Sequence, residues 1–155
     1  MRHQRNYRKL GRSPKHRKAL MRNLATSLFT HEYIKTTMAK AKEVQPFIEK
    51  IINRARREDQ HNAHRYVNSV LFTRQSQINL FREIVPRFNE ENRLSGYTRV
   101  SPAGRRANDQ AEMAVIELIG NQNYTTEKNL AKEDLENDEI DTFWKFELRL
   151  LRQEQ

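Results

Sequence analysis

Apolar positions along this chain follow two periods. Leu20, Met21, Leu24, Ala25 and Leu28 recur at helical spacing. Ser13-Pro14 precedes them and reads as a helix start, a hydroxyl N-cap followed by proline at the first helical position, where its missing N–H costs nothing. Glu32 to Thr37 alternates and is β-branched, so it predicts a short strand. A second helix is predicted from Met38 to Arg57, with Ala41, Val44, Ile48, Ile51, Ile52 and Ala55 toward the core. Pro46 inside that span either kinks the helix or marks its first turn. A third helix is expected from Asn62 to Phe72, burying Ala63, Tyr66, Val67, Val70 and Leu71. Thr73 caps a fourth, with Ile78, Phe81, Ile84, Val85 and Phe88 as its stripe and Pro86 ending or bending it. Tyr97 to Ser101 and the nearly all-apolar Met113 to Ile119 are the remaining strands, joined by a polar loop from Pro102 to Glu112. The sum is a two-layer α+β domain in the order helix, strand, three helices, two strands.

Residues 1–12 offer little to bury except Tyr7 and Leu10, so they read as a basic extended arm that orders on its partner. After Gly120 the composition shifts, and 121–155 reads as an acidic, helical C-terminal extension. Its helices are expected around Leu130–Leu135 and from Asp141 onward. Ile140, Phe143, Trp144, Leu148 and Leu151 then share one face. A Trp/Phe stripe on an acidic segment docks on protein, either this domain or a neighbouring subunit, and Phe143, Trp144, Leu148 and Leu151 are its docking residues. The organisation expected is a domain over 1–120, with the arm at 1–12 and the globular part at 13–120, followed by the extension.

Charge sharpens this picture. The 155 residues carry a net +9, but the first acid is Glu32, and Arg2, Arg5, Arg8, Lys9, Arg12, Lys15, Arg17, Lys18 and Arg22 all stand before it. Residues 1–57 have a net of +13, residues 58–120 are neutral, and residues 121–155 have a net of −4. Such a one-sided excess repels itself unless a polyanion neutralises it, and nucleic acid is the obvious polyanion. Hydrophobic residues reach only 36%, so the core is small and much of the surface has a partner.

Several chemistries have no support. The chain lacks cysteine, which excludes disulfides and thiol catalysis, and its four glycines stand apart, so no phosphate-cradling loop exists. His61 and His64 sit i, i+3 without a third ligand and read as a solvated or RNA-facing pair. No apolar run approaches a bilayer span. The chain is not expected to be an enzyme, to hold a cofactor or metal, or to insert in a membrane.

The blocks Met1-Arg2-His3, Leu10-Gly11-Arg12, His16-Arg17-Lys18-Ala19, Arg22-Asn23-Leu24-Ala25 and His31-Glu32 resemble the bacterial-type large-subunit ribosomal protein L17 family. Ile34-Lys35-Thr36-Thr37, Pro86-Arg87-Phe88, Gly96-Tyr97-Thr98-Arg99-Val100 and Met113-to-Leu118 continue the resemblance to about residue 120. It implies a structural protein of the large ribosomal subunit, bound to rRNA near the exit of the peptide tunnel, with a two-layer α+β fold. Carried over, the rRNA-binding residues are Arg2, His3, Arg5, Arg8, Arg12, His16, Arg17, Arg22, Lys35, Thr36, Thr37, Lys40 and Lys42, then Arg99, Arg105 and Arg106. Lys9, Lys15, Lys18 and Asn23 join them as part of the same basic arm and helix. The expected partners are large-subunit rRNA and neighbouring large-subunit proteins, without homo-oligomerisation. A free RNA-binding regulator, or an adaptor working through the acidic tail, is the alternative.

The hairpin Gly104-Arg105-Arg106-Ala107-Asn108-Asp109 departs from the bacterial pattern and looks more like mitochondrial members. Bacterial members also tend to stop near Ile119. The expected location is therefore the mitochondrial ribosome, in the matrix, with the acid-free N-terminus as an uncleaved import signal; a bacterial cytoplasm or a plastid is the alternative.

Overall fold

Pro14 opens the first helix, α1 (Pro14–His31), in the computed structural model, which describes residues 7–57 and 59–121. The chain divides into two units, Met1–Asn121 and Gln122–Gln155. The arm residues Arg2, His3 and Arg5, the two helices expected in the tail and the expected docking stripe Phe143, Trp144, Leu148 and Leu151 lie outside the described residues. Ser13 takes the N-cap position in extended backbone, but its hydroxyl makes no capping hydrogen bond, contrary to the sequence expectation.

Helix α1 ends on Glu32 in the left-handed region (φ 63°), where its N–H still reaches the Leu28 carbonyl. A non-glycine residue there is unfavourable by itself. Here the Glu32 carboxylate is held bidentately by Arg87, at 2.7 and 3.2 Å. Glu32 thus leaves the predicted strand, and β1 runs Tyr33–Thr37 straight into α2 (Met38–Arg57). All six residues expected on the core side of α2 are buried. Pro46 is well inside α2 and exposed, so it does not mark the first turn, and the carbonyl it deprives, that of Lys42, belongs to another exposed residue.

Helix α3 (Gln60–Val70) starts two residues earlier than expected. Thr73 then caps as predicted, its Oγ1 accepting from the Ser76 N–H. The helical rod that follows comprises α4 (Arg74–Asn79), a π-helical turn at Leu80–Ile84, and α5 (Val85–Glu90). The N–H of Val85 bonds to the Leu80 carbonyl, five residues back. Pro86 therefore neither ends nor interrupts the rod; it follows directly on the widened turn. That turn also rotates the buried stripe, so Ser76, Leu80, Ile84, Val85 and Phe88 are buried while Ile78 and Phe81 are only half-buried.

Strands β2 (Thr98–Arg105) and β3 (Glu112–Leu118) complete an antiparallel sheet in the order β1-β3-β2. The apolar β3 is central, as its composition predicts. The first part of the expected loop is strand: β2 continues to Arg105 through Pro102, which an edge strand tolerates, with a register shift between Pro102 and Arg105. Ile34 opposes Ile116, and Thr36 opposes Ala114, on the face against the helices. Tyr97 precedes β2 instead of joining it. It is fully buried beside Phe88, and its hydroxyl meets Arg56, Asn53 and the Leu94 carbonyl.

Candidate nucleic-acid interface

The basic residues before Glu32 could form one surface or scatter around a helix, and the turn at residues 9–12 decides. Leu10 and Gly11 both adopt left-handed backbone (φ 54° and 61°), and the Arg12 N–H bonds to the Lys9 carbonyl at 3.1 Å. Leu10 packs on the core. The Arg8 N–H donates to the Glu43 carboxylate at 3.0 Å, which lays this segment along the start of α2, where Lys40 and Lys42 stand. The Arg17 guanidinium covers the Tyr7 ring at 4.7 Å. Residues 7–12 lie against the domain through these contacts. The anchor is Leu10 together with a backbone N–H, neither of which depends on RNA.

Arg8, Lys9, Lys15, His16, Lys18, Asn23, Lys35 and Lys42 are exposed, and Arg12, Arg17 and Lys40 are half-buried. Among the described residues, none of the Lys and Arg of 8–42 forms an ion pair. The first turns of α1 and α2 also hold no acid, so both positive helix ends add to the same field. Arg12 places Nη1 2.8 Å from His16 Nε2, while its Nε is cut off from water with no hydrogen-bond partner.

Other expected site residues have different positions. Arg22 Nε donates to the Val70 carbonyl at 2.7 Å, and its guanidinium lies 4.0 Å over the Phe72 ring. Thr26 reinforces this seam by accepting from the Phe72 N–H. Arg22 therefore fastens α1 to the end of α3. The Thr36 side chain is buried on the helix-facing side of β1, and Thr37 is half-buried. Neither periodicity nor charge reveals these assignments, because the partners of Arg22 stand almost fifty residues away.

The hairpin arginines separate as well. Arg105 is exposed with no partner among the described residues, whereas Arg106 grips Asp109 bidentately at 2.6 and 2.9 Å. Hydrogen bonding from Arg106, then from the Ala111 N–H, lowers the Asp109 carboxyl to about 2. Arg99 is exposed and lies 3.6 Å from Glu117. No group of three or more potential metal ligands occurs among the described residues, and no described helix is long and apolar enough to cross a membrane. Arg74 and Arg82 are also exposed, within the 23 residues from Gln60 to Arg82, which contain no acid.

A small two-layer α+β domain that gathers unpaired cations on its first helix and adjoining turn belongs to the class of basic proteins built against a polyanion. Comparison with known proteins specifies which one. Residues 20–119 match the family model for ribosomal protein L17. The large ribosomal subunit protein bL17 of Campylobacter concisus is 47% identical over 119 residues, covering 77% of this chain and 98% of that one. The protein of the same name from Roseobacter denitrificans is 50% identical over 119 residues, covering 77% and 83%. That from Nautilia profundicola is 44% identical over 124 residues, covering 77% and 99%. The chain belongs to the ribosomal protein L17 family.

Proposed function

We propose that this chain is a structural constituent of the large ribosomal subunit, held by rRNA on the surface made by residues 7–18, Asn23, Lys35 and the start of α2. The observation that carries this reading is the run of cations with no carboxylate partner. Arg87, Arg93, Arg99 and Arg106 all have one. Phosphates neutralise such cations and release condensed counterions. Arg8, Arg12 and Arg17 supply planar donors that can meet phosphate or ribose oxygens. The arm residues Arg2, His3 and Arg5, and the hairpin Arg105, extend the contact. Arg22 and Thr36 support the surface from behind, while Arg106 holds its own hairpin through Asp109. The role is structural, as for the family, and no catalytic step is involved.

Titration of full-length protein against a large-subunit rRNA transcript at several salt concentrations tests the surface. Lys15→Gln with Lys18→Gln is expected to flatten the log–log salt slope by about 1.4 to 1.8, two phosphates' worth. An unchanged slope would remove these residues from the interface.

The finer parts of this reading are a place near the peptide tunnel exit, docking of the acidic 121–155 segment on neighbouring large-subunit proteins, and a mitochondrial ribosome. The hairpin Arg106-Ala107-Asn108-Asp109 supports the last. The tail supports it less, because the match to the bacterial relatives from Roseobacter and Cereibacter also leaves part of those chains outside, covering 83% and 84% of them. Immunoblotting of purified organelle and cytosolic fractions decides: enrichment with matrix markers is expected, and recovery in another compartment would place the ribosome there.

A further inference from the structure

The acid-free run from Gln60 to Arg82 folds into α3 and the first part of the rod, and between these helices lies an open groove of about 380 Å³. Its floor is apolar, formed by the half-buried Ile78 and Phe81. The His64 imidazole lies on the Phe81 ring, with centroids 3.9 Å apart and planes inclined by 34°. His64 is exposed, so its imidazole, tilted on the Phe81 ring, offers an aromatic shelf to solvent. One turn along α3, the exposed Asn68 side chain makes no hydrogen bond among the described residues. Gln77 on the facing helix gives its amide N–H to the Leu71 carbonyl, which leaves its own carbonyl oxygen to accept. Arg74 and Arg82 stand about two turns apart on the rod. Both are exposed, neither is ion-paired among the described residues, and no carboxylate lines the groove.

An aromatic shelf, amide groups beside it and a guanidinium toward either end correspond to the parts of an unpaired nucleotide: base face, base edge and flanking phosphates. An acidic peptide would match the arginines but would leave the shelf and the amides without a purpose. We propose that the groove between α3 and the rod takes an unpaired base of a single-stranded RNA loop, stacked on His64–Phe81, with the flanking phosphates on Arg74 and Arg82. The inference rests on reading the chain as an rRNA-bound protein. It adds a second contact, of different chemistry, on elements other than the arm and the start of α1.

The test is photocrosslinking of full-length protein to a mixed-sequence, 4-thiouridine-containing single-stranded oligoribonucleotide, with the same strand in a duplex as control. Crosslinked peptides are mapped by mass spectrometry. Crosslinks are expected in two regions, 7–42 and 60–82, with those in 60–82 about tenfold weaker for the duplex. Arg74→Ala with Arg82→Ala, and separately His64→Ala, should reduce the 60–82 crosslinks about tenfold and leave those in 7–42 unchanged; His64→Phe should retain crosslinks within 60–82. His64, Arg74 and Arg82 are all exposed, so the variants should melt as the wild type does. Crosslinks confined to 7–42, or equal yields in 60–82 from the duplex, would overturn the groove while leaving the rRNA reading standing. Crosslinks in neither region would overturn both.

Discussion

Three arginines show how side chains of equal charge acquire different tasks. Arg87 fixes Glu32, which is only 10% exposed and terminates α1 in a left-handed conformation. It also fills the space over Gly120, where an added Cβ would lie 3.0 Å from the Arg87 Cδ. Removing the guanidinium strands a mostly buried carboxylate at a strained turn. Arg87→Ala should therefore lower unfolding stability by about 2 to 3 kcal/mol, read from urea denaturation. Arg22 sits between the helices through Val70 and Phe72, so its substitution disturbs the fold as well as the charge. Arg106 holds the hairpin through Asp109, whose carboxyl is lowered to about 2. A depressed carboxyl favours the folded state above the usual carboxylate pKa of about 4, and that contribution is lost as pH falls toward 2. NMR titration should find the Asp109 midpoint near 2 and see it rise in Arg106→Ala while staying below the usual value of about 4, because the Ala111 N–H still donates.

At the scale of elements, local signals were readable and long-range ones were not. Proline at the head of α1, the apolar stripe of α2, the Thr73 cap and the apolar β3 each act within a few residues, and each element is where these place it. The rod defeated periodicity because the π-turn inserts wider spacing in the middle of the stripe. Sequence spacing selects Ile78, whereas the structure buries Leu80 completely. Leu80→Ala should then cost about 2 to 5 kcal/mol, with Ile78→Ala clearly below it. The reverse order would restore the unbroken α-helical register. β2 was underestimated for a related reason: Pro102 looks like a strand breaker unless the strand is known to be at the sheet edge. The same division holds for the interface. Exposure of Lys15, His16 and Lys18 follows from helical phase, but the positions of Arg22 and Thr36 depend on which distant segment packs beside them.

For the whole molecule, the distribution of charge matters more than its total. The net of +13 over residues 1–57 is matched by neutrality over 58–120, so the fold presents one strongly cationic end of its sequence on a scaffold that is itself balanced. Membership of the L17 family and the unpaired cations lead to the same conclusion, a protein whose working partner is ribosomal RNA. Lys15 and Lys18 test that claim best, being exposed, unpaired and free of the packing duties of Arg17 and Arg22. The decisive measurement is sedimentation of the epitope-tagged full chain through a high-salt, magnesium-containing gradient, with fractions probed for large-subunit rRNA. Wild type should co-migrate with that rRNA, and Lys15→Glu with Lys18→Glu should stay at the top while keeping its circular dichroism and melting behaviour. Wild-type protein at the top, or a double variant that co-migrates as well as wild type, would contradict the account.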